Sequence, residues 1–296
     1  VDEQHRFGVR QRQALVGKGT NPHMLAMTAT PIPRTLALSV FGDLELSLLD
    51  ELPPGRQPIR TILVRPERRG ESYEYLRAQV KSGRQAFVIF PLVEESERVE
   101  ARAATAEFER LRRQFPDLRL ALVHGRLTPR EKDDVMARFR DGQADVLVAT
   151  AVVEVGIDVP NASVILIEGA DRFGLAQLHQ FRGRVGRGPH PSSCLLLTES
   201  DAEATLARLR ALERTSDGFA LAEEDLRMRG PGQFFGTRQS GLPDLRVASY
   251  GDRETLVRAR RQAALILQAD PALSLPEHGP LAARVALNET RSMGAG

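Results

Sequence analysis

The sequence predicts an α/β fold, a parallel sheet with flanking helices followed by a helical hairpin and a loop. Three observations carry that expectation. Short apolar runs, β-branched or leucine-rich, recur between residues 59 and 197 and alternate with helix-like segments, as a parallel sheet with crossover helices requires. Thr128-Pro-Arg-Glu131 writes a helix start, with an N-cap threonine, proline at the first helical position and a capping-box glutamate. Beyond about Glu199 the strand-like runs cease and only helix-like segments follow.

In chain order, His23 to Thr28 reads as a short strand, Pro33 to Val40 as a helix and Leu44 to Leu49 as a further strand. Glu51-Leu-Pro-Pro-Gly-Arg-Gln-Pro58 is rich in turn formers, and its prolines cannot donate to a ladder, so it is the linker candidate. Core strands are expected at Ile59 to Val64, Ala86 to Leu92, Leu118 to Val123, Val146 to Ala149, Val164 to Ile167 and Cys194 to Leu197. The helix opened by Thr128 carries apolar Val135, Met136 and Phe139 and stops at Gly142. Helices are also expected over Ala202 to Thr215, Leu221 to Met228 and Arg253 to Gln268, with a Gly-rich loop before the last.

With 296 residues, 42% of them apolar, the chain can form two domains around packed cores. A net charge of +2 is too small to identify a nucleic-acid binder. Only three of the 41 basic residues are lysines (Lys18, Lys81 and Lys132); the arginine excess suits forked recognition of phosphate, or it reflects a compositional bias. Cys194 is the only cysteine, so no intrachain disulfide can form and a cysteine-based metal site is disfavoured. It lies in an apolar run and reads as a buried, inert thiol. No apolar run approaches the ~20 residues that span a bilayer. No membrane partner is expected, and a cytoplasmic, bacterial nucleoid-associated location is.

Four segments carry chemistry. Gln177-Leu-His-Gln-Phe-Arg-Gly-Arg-Val-Gly-Arg-Gly188 holds Arg184 and Arg187 at fixed spacing among glycines that permit close backbone approach. Forked guanidiniums so placed can grip phosphate oxygens and stabilise charge on a transferring phosphoryl group. Asp2-Glu-Gln-His5 is a carboxylate pair of the kind that holds Mg²⁺ and orients a water, although a lone Asp-Glu is usually solvated surface. Thr28-Ala-Thr-Pro31 lies between them, and alone would read as a helix cap. Glu223-Glu-Asp-Leu-Arg-Met-Arg-Gly-Pro-Gly-Gln-Phe-Phe-Gly-Thr-Arg-Gln-Ser-Gly-Leu-Pro-Asp-Leu245 is a long loop-forming motif.

In this order the segments resemble the superfamily 2 helicases, whose paired RecA-like domains close on ATP. The Glu223 to Leu245 run narrows the resemblance to the RecG family of branched-DNA helicases and to its relative, the transcription-repair coupling factor, and Asp2 to Gly8 favours the RecG family. It covers Asp2 to about Tyr250. It implies a RecA-like sheet and a division into residues 1–52 (end of the first motor domain), 53–200 (second motor domain) and 201–296 (helical translocation motif and tail). It further implies ATP with Mg²⁺ as cofactor, and forks and Holliday junctions as DNA partners, with a single-stranded DNA-binding protein beside them.

By the same resemblance, Asp2 and Glu3 are catalytic and metal-holding, Arg184 and Arg187 act on the phosphates, and Gln4, His5, Gly156, Asp158 and Gln180 serve the nucleotide site. Thr28, Thr30, His124, Gly125, Thr150, Arg227, Arg229, Arg238 and Gln239 serve DNA contact and translocation. For His124 a structural, hydrogen-bonded histidine remains an equal reading. Gly17-Lys-Gly-Thr20 fails the phosphate-loop pattern, which needs an earlier glycine and Ser or Thr directly after the lysine. The chain is therefore expected to be a piece cut within the first motor domain, inactive alone. Two alternatives stand beside this reading: a coupling-factor-like translocase, and a non-catalytic DNA-binding or interaction module.

Overall fold

The computed structural model describes residues 1–2, 22–30, 47–49, 51, 53, 56–91, 97–150, 158–229 and 253–293. The chain divides into two compact units, Val1–Pro31 with Glu51–Leu221 and Ile32–Asp50 with Ala222–Gly296. In the first unit, six strands form one sheet: β1 (Ile59–Val64), β2 (Gln85–Phe90), β3 (Leu120–Val123), β4 (Val146–Thr150), β5 (Ala162–Ile167) and β6 (Ser192–Leu197), in the order β1-β6-β5-β2-β4-β3. Every pairing is parallel. The helices are α1 (Arg69–Lys81), α2 (Glu97–Gln114), α3 (Pro129–Arg140), α4 (Leu175–Arg182), α5 (Glu203–Arg214) and the start of α6 (Gly218–Arg229).

The central strands β2, β4, β5 and β6 are buried at every position, while the edge strands β1 and β3 are partly exposed. Such continuous apolar runs are required because helices cover both faces of a parallel sheet. Side chains alternate between two cores. Phe87, Ile89, Leu147, Ile165, Cys194 and Leu196 meet Phe139 of α3, Leu178 and Phe181 of α4, and Leu209 and Leu212 of α5. Ala86, Val88, Val146, Val148, Leu166 and Leu195 meet Tyr73, Leu76 and Val80 of α1 and Leu111 of α2. At the β1 edge, the Leu63 N–H donates to Glu213 Oε1 of α5 at 2.6 Å, so a carboxylate occupies a ladder group that would otherwise face solvent.

The α3 start is built as its sequence predicts. Thr128 Oγ1 accepts from the Glu131 N–H while the Glu131 carboxylate accepts from the Thr128 N–H, and Gly142 takes a left-handed φ of +72° after the helix end. Cys194 is fully buried, and burial pushes its thiol up to about 12, an inert group.

Two expectations need correction. Among the described residues the segment His23 to Thr28 is not a strand: it makes one ladder-like exchange, Val1 N to Leu25 O at 2.7 Å and Met27 N to Val1 O at 2.7 Å, and Met24, Leu25 and Met27 are exposed. One pairing without a packed face does not fix an extended run. Residues 47–49 of the Leu44 to Leu49 strand are irregular, and the rest of that segment, the Pro33 to Val40 helix and Gly17 to Thr20 lie outside the described residues.

In the second unit, α7 (Arg253–Ala269) and α8 (Gly279–Met293) are joined by a turn organised around one carboxylate. Asp270 accepts from the N–H groups of Ser274 and Leu275, each at 2.9 Å, from Ser274 Oγ at 3.0 Å and from His278 Nδ1 at 2.9 Å. The Leu275 N–H, His278 and the Ser274 N–H hold its carboxyl well below the usual carboxylate range.

Candidate nucleotide and nucleic-acid site

Helix α4 delivers the arginine segment. Its Leu175, Leu178, Phe181 and Arg182 are buried on one face, and the chain turns at Gly183. Arg182 donates from Nη1 to the carbonyls of Leu212 and Thr215, both at 2.8 Å, and from Nη2 to His179 Nδ1 at 2.8 Å. His179 is the acceptor, since guanidinium has only donors. Burial first, and the Arg182 charge second, push its pKa down to about 4, so it is neutral at pH 7.

Past Gly183 the loop is held from two sides. Gly186 has a φ of +76°, and a Cβ there would stand 2.8 Å from Ile59 Cγ1. At Gly188 a Cβ would stand 2.2 Å from the Pro160 carbonyl oxygen, so only glycine lets the loop lie on the chain that follows Asp158. Arg187 projects between these fixed points. Its Nε donates to the Gly183 carbonyl at 3.1 Å and its Nη1 lies 3.5 Å from Asp158 Oδ1. Asp158 and Arg187 keep 66% and 31% of their side-chain surfaces exposed, so the pair is open to a competing anion. Arg184 lies in the same loop, its N–H bonded to the Phe181 carbonyl at 2.9 Å.

Gln180, one turn back on α4, donates from Nε2 to Thr30 Oγ1 at 2.8 Å, and the Thr30 N–H donates to Thr28 Oγ1 at 3.1 Å. Thr28 directly follows the Leu25–Met27 stretch that pairs with Val1, and the exposed Asp2 is the next residue after Val1. The structure thus joins Thr28, Thr30 and Gln180 in one chain of hydrogen bonds, and Asp158 with Arg187 in another contact.

Across the sheet, His124 and Gly125 follow β3 and Thr150 ends β4, and the pairing of Val123 with Ala149 sets them side by side at the strands' carboxyl ends, where open α/β sheets bind ligands. His124 Nδ1 accepts from the Arg126 N–H at 3.3 Å and the Gly125 carbonyl from Lys132 Nζ at 3.2 Å, which order this loop. Thr150 is buried and lines a cleft of about 470 Å³ with Arg69, Arg110 and Glu168. The buried Glu168 accepts from Tyr73 Oη and Arg69 Nη2, with Arg110 Nη2 at 3.8 Å. Burial and the adjacent Glu168 charge push the Tyr73 phenol up to about 12.

Arg227 is exposed on α6 and paired to Glu224 at 2.8 Å, and Arg229 is the last residue of that helix. Glu3, Gln4, His5, Gly156, Arg238 and Gln239 lie outside the described residues. Sequence reasoning missed Arg182, His179 and the Glu168 cluster. Arg182 was legible in part, because it falls seven residues after Leu175 and four after Leu178 on the apolar face of α4. The Glu168 partners come from two helices, Arg69 and Tyr73 one turn apart on α1 and Arg110 on α2, and nothing along the chain ties them to Glu168.

Among the described residues no group of three or more His, Cys, Asp or Glu side chains could cage a metal, and no helix is long and apolar enough to cross a membrane. Asp2 fits a Mg²⁺ role that needs no such cage, since Mg²⁺ is commonly held by one or two carboxylates together with substrate phosphates.

A parallel sheet of this order, with the arginine loop seated on Pro160 and paired to Asp158, is that of a RecA-like helicase C-terminal domain. The Helicase conserved C-terminal domain family matches residues 71–189. Within that class the chain belongs to the RecG family over the segment it spans. Residues 215–291 match the family described as ATP-dependent DNA helicase RecG, domain 3, C-terminal. The ATP-dependent DNA helicase RecG of Synechocystis sp. is 54% identical, over 92% of this chain and 33% of that protein. The RecG of Thermotoga maritima is 50% identical, over 88% of this chain and 34% of its own length. A solved structure of RecG bound to a three-way DNA junction superposes with a TM-score of 0.68 at 44% identity, over 88% of this chain and 32% of that one. The chain thus spans about a third of the length of these relatives.

Proposed function

We propose that this chain is part of an ATP-dependent double-stranded DNA translocase and helicase that remodels replication forks and Holliday junctions. The observation that carries the reading is the arginine loop: Arg187 is presented between Asp158 and the Gly183 carbonyl, with Gly188 seated on Pro160. An anion arriving there can displace the weak Asp158 contact, and the planar fork of Arg187 then stabilises charge on the transferring phosphoryl group. Gln180 and Thr30 tie this loop to the segment beside Asp2, as coupling of hydrolysis to movement needs.

In this reading Arg184 and Arg187 act on ATP, with Asp158, Gly156 and Gln180 beside the nucleotide and Gln4 and His5 linking to it. Asp2 and Glu3 hold Mg²⁺ and orient water; the ion, when bound, neutralises phosphate charge. Thr28, Thr30, His124, Gly125 and Thr150 serve the DNA track, and Arg227, Arg229, Arg238 and Gln239 the push on the duplex. The division into residues 1–52, 53–200 and 201–296 follows these roles. A single-stranded DNA-binding protein as partner, and a cytoplasmic, nucleoid-associated location, rest on family resemblance alone.

A lever reading for residues 223–245 gains support from Arg182, which anchors the arginine loop to the end of α5 through Leu212 and Thr215. Two residues further on, Asp217 Oδ1 accepts from the Phe219 N–H at 2.8 Å and starts α6, the helix that carries Arg227 and Arg229.

The test uses the protein at the length of its curated relatives. Arg187→Ala and Arg184→Ala should lower kcat for DNA-dependent ATP hydrolysis by up to ~10³-fold while fork binding is largely kept. Arg238→Ala and Gln239→Ala should keep most ATPase and lose fork unwinding. Equal loss of DNA binding and turnover in the first pair would place those arginines on DNA and defeat the reading. The 296 residues alone, having no phosphate-loop pattern, should show no ATP turnover.

A further inference from the structure

The Gly183 carbonyl accepts two guanidinium donors, Arg187 Nε at 3.1 Å and Arg56 Nη2 at 3.2 Å. Arg56 belongs to the Glu51–Pro58 linker, 127 residues away in sequence from its acceptor. The linker also lies against the same loop at Gln57, whose carbonyl would stand 3.6 Å from a Cβ at Gly186, and β1 follows at once with Ile59 at 2.8 Å. We propose that Arg56 is a positioning residue for the arginine finger, one that lets Arg187 leave its resting contact for a phosphate without stranding the Gly183 carbonyl. This rests on the function proposed above.

The argument is one of hydrogen-bond satisfaction. Gly183 follows the last turn of α4, where carbonyls lack intrahelical partners and need other donors. A carbonyl oxygen has two acceptor positions, and both are used here. If Arg187 alone filled them, its swing toward a γ-phosphate would leave a half-buried acceptor unpaired, at a free-energy cost that opposes deployment. Arg56 keeps the carbonyl paired in both states. Two cations sharing one acceptor also repel each other, which favours the more exposed one, Arg187, moving out. Asp158 supplies the opposing restraint, so the resting finger is held by a weak ion pair and a contested hydrogen bond. Linker geometry and the position of Arg187 are thereby coupled through the Gly183 carbonyl.

The experiment is a double-mutant cycle on DNA-stimulated ATPase in the protein at its relatives' length, with Arg56→Ala, Arg56→Lys, Arg187→Ala and the double variant Arg56→Ala/Arg187→Ala. Arg56→Ala should lower kcat about tenfold, with KM for ATP and fork affinity within about twofold of the parent. Arg56→Lys, which keeps one donor and the charge, should recover part of the loss. In the Arg187→Ala background, removing Arg56 should have no further effect, because there is no finger left to release. A merely structural role for Arg56 would instead lower activity by the same factor in both backgrounds, and that result overturns the proposal. Full activity in Arg56→Ala, with Arg187→Ala impaired, also overturns it and leaves the function standing. A parent protein without DNA-stimulated hydrolysis would overturn the function and this role together.

Discussion

Arg187 Nη1 stands 3.5 Å from Asp158 Oδ1, which brings residues 29 positions apart into an exposed ion pair on the segments that lead into β5 and β6. Such a contact is worth little in water, about 0–1 kcal/mol. Its value lies in position, because it holds a fork of five donors where an incoming phosphate can outcompete one carboxylate. The backbone beneath it is fixed far more firmly by Gly186 and Gly188. A rigid loop with a loosely held tip suits a group that must move a short distance and reproducibly.

Gly188→Ala should be severely disruptive. The added methyl would sit 2.2 Å from the Pro160 carbonyl oxygen, and backbone cannot yield as a side-chain tip does. A loss of ~1–3 kcal/mol in urea denaturation is expected. ATPase should fall further than stability explains, because the loop carrying Arg187 must lift. Gly70→Ala on α1, where nothing lies within 4 Å of the new methyl, is the neutral control.

Arg182→Ala should remove the donor to the Leu212 and Thr215 carbonyls and strip His179 of its partner. With two carbonyls left unpaired, the expected loss is at least ~2 kcal/mol, read from chemical denaturation. Arg182→Lys should rescue little, since one ammonium on a flexible stem cannot fork to both carbonyls and the imidazole.

Stability should depend on His179 in mildly acid solution. Its pKa is pushed down to about 4 in the fold, against about 6.5 for the free side chain. Between these values the unfolded chain takes up a proton that the folded one refuses, so this contribution is complete above about pH 6.5 and declines as pH falls toward 4. The decline amounts to as much as ~3 kcal/mol. His179→Gln keeps an acceptor for Arg182 and should flatten that slope in denaturation measured from pH 7 to 4.

Asp270→Ala should loosen the α7–α8 turn while leaving the sheet intact, because the carboxylate gathers four donors from residues 274 to 278. Hydrogen exchange at the Ser274 and Leu275 amides should quicken. As a carboxyl held below its usual range, Asp270 contributes stability that is present above about pH 4 and is lost as pH falls further. Amide exchange in the second unit should therefore approach that of the variant only at pH well below the ordinary carboxylate range, and at pH 3 should still be slower than in the variant.

Much of the sheet is legible in the sequence because its signal is local. The six apolar runs all become strands, with ends displaced by at most two residues within the described segments, since a strand buried on both faces must be apolar throughout. The α3 start is legible because its capping box closes within four residues. Helices α1 and α2 carry a weaker signal: α1 buries only Ser72, Tyr73, Leu76 and Val80 among charged neighbours, and its polar positions form surface ion pairs.

The sequence by itself determined the fold class, the order of the motifs and the arginine pair at Arg184 and Arg187, because these depend on composition and short-range spacing. Tertiary structure decided what those residues touch. That Arg182 is a buried tie, that Arg187 rests between Asp158 and Gly183, and that the linker's Arg56 shares its acceptor all depend on contacts between residues 4 to 127 positions apart. Such contacts are set by strand order and helix packing, and a hydrogen bond formed across the fold leaves no periodicity along the chain.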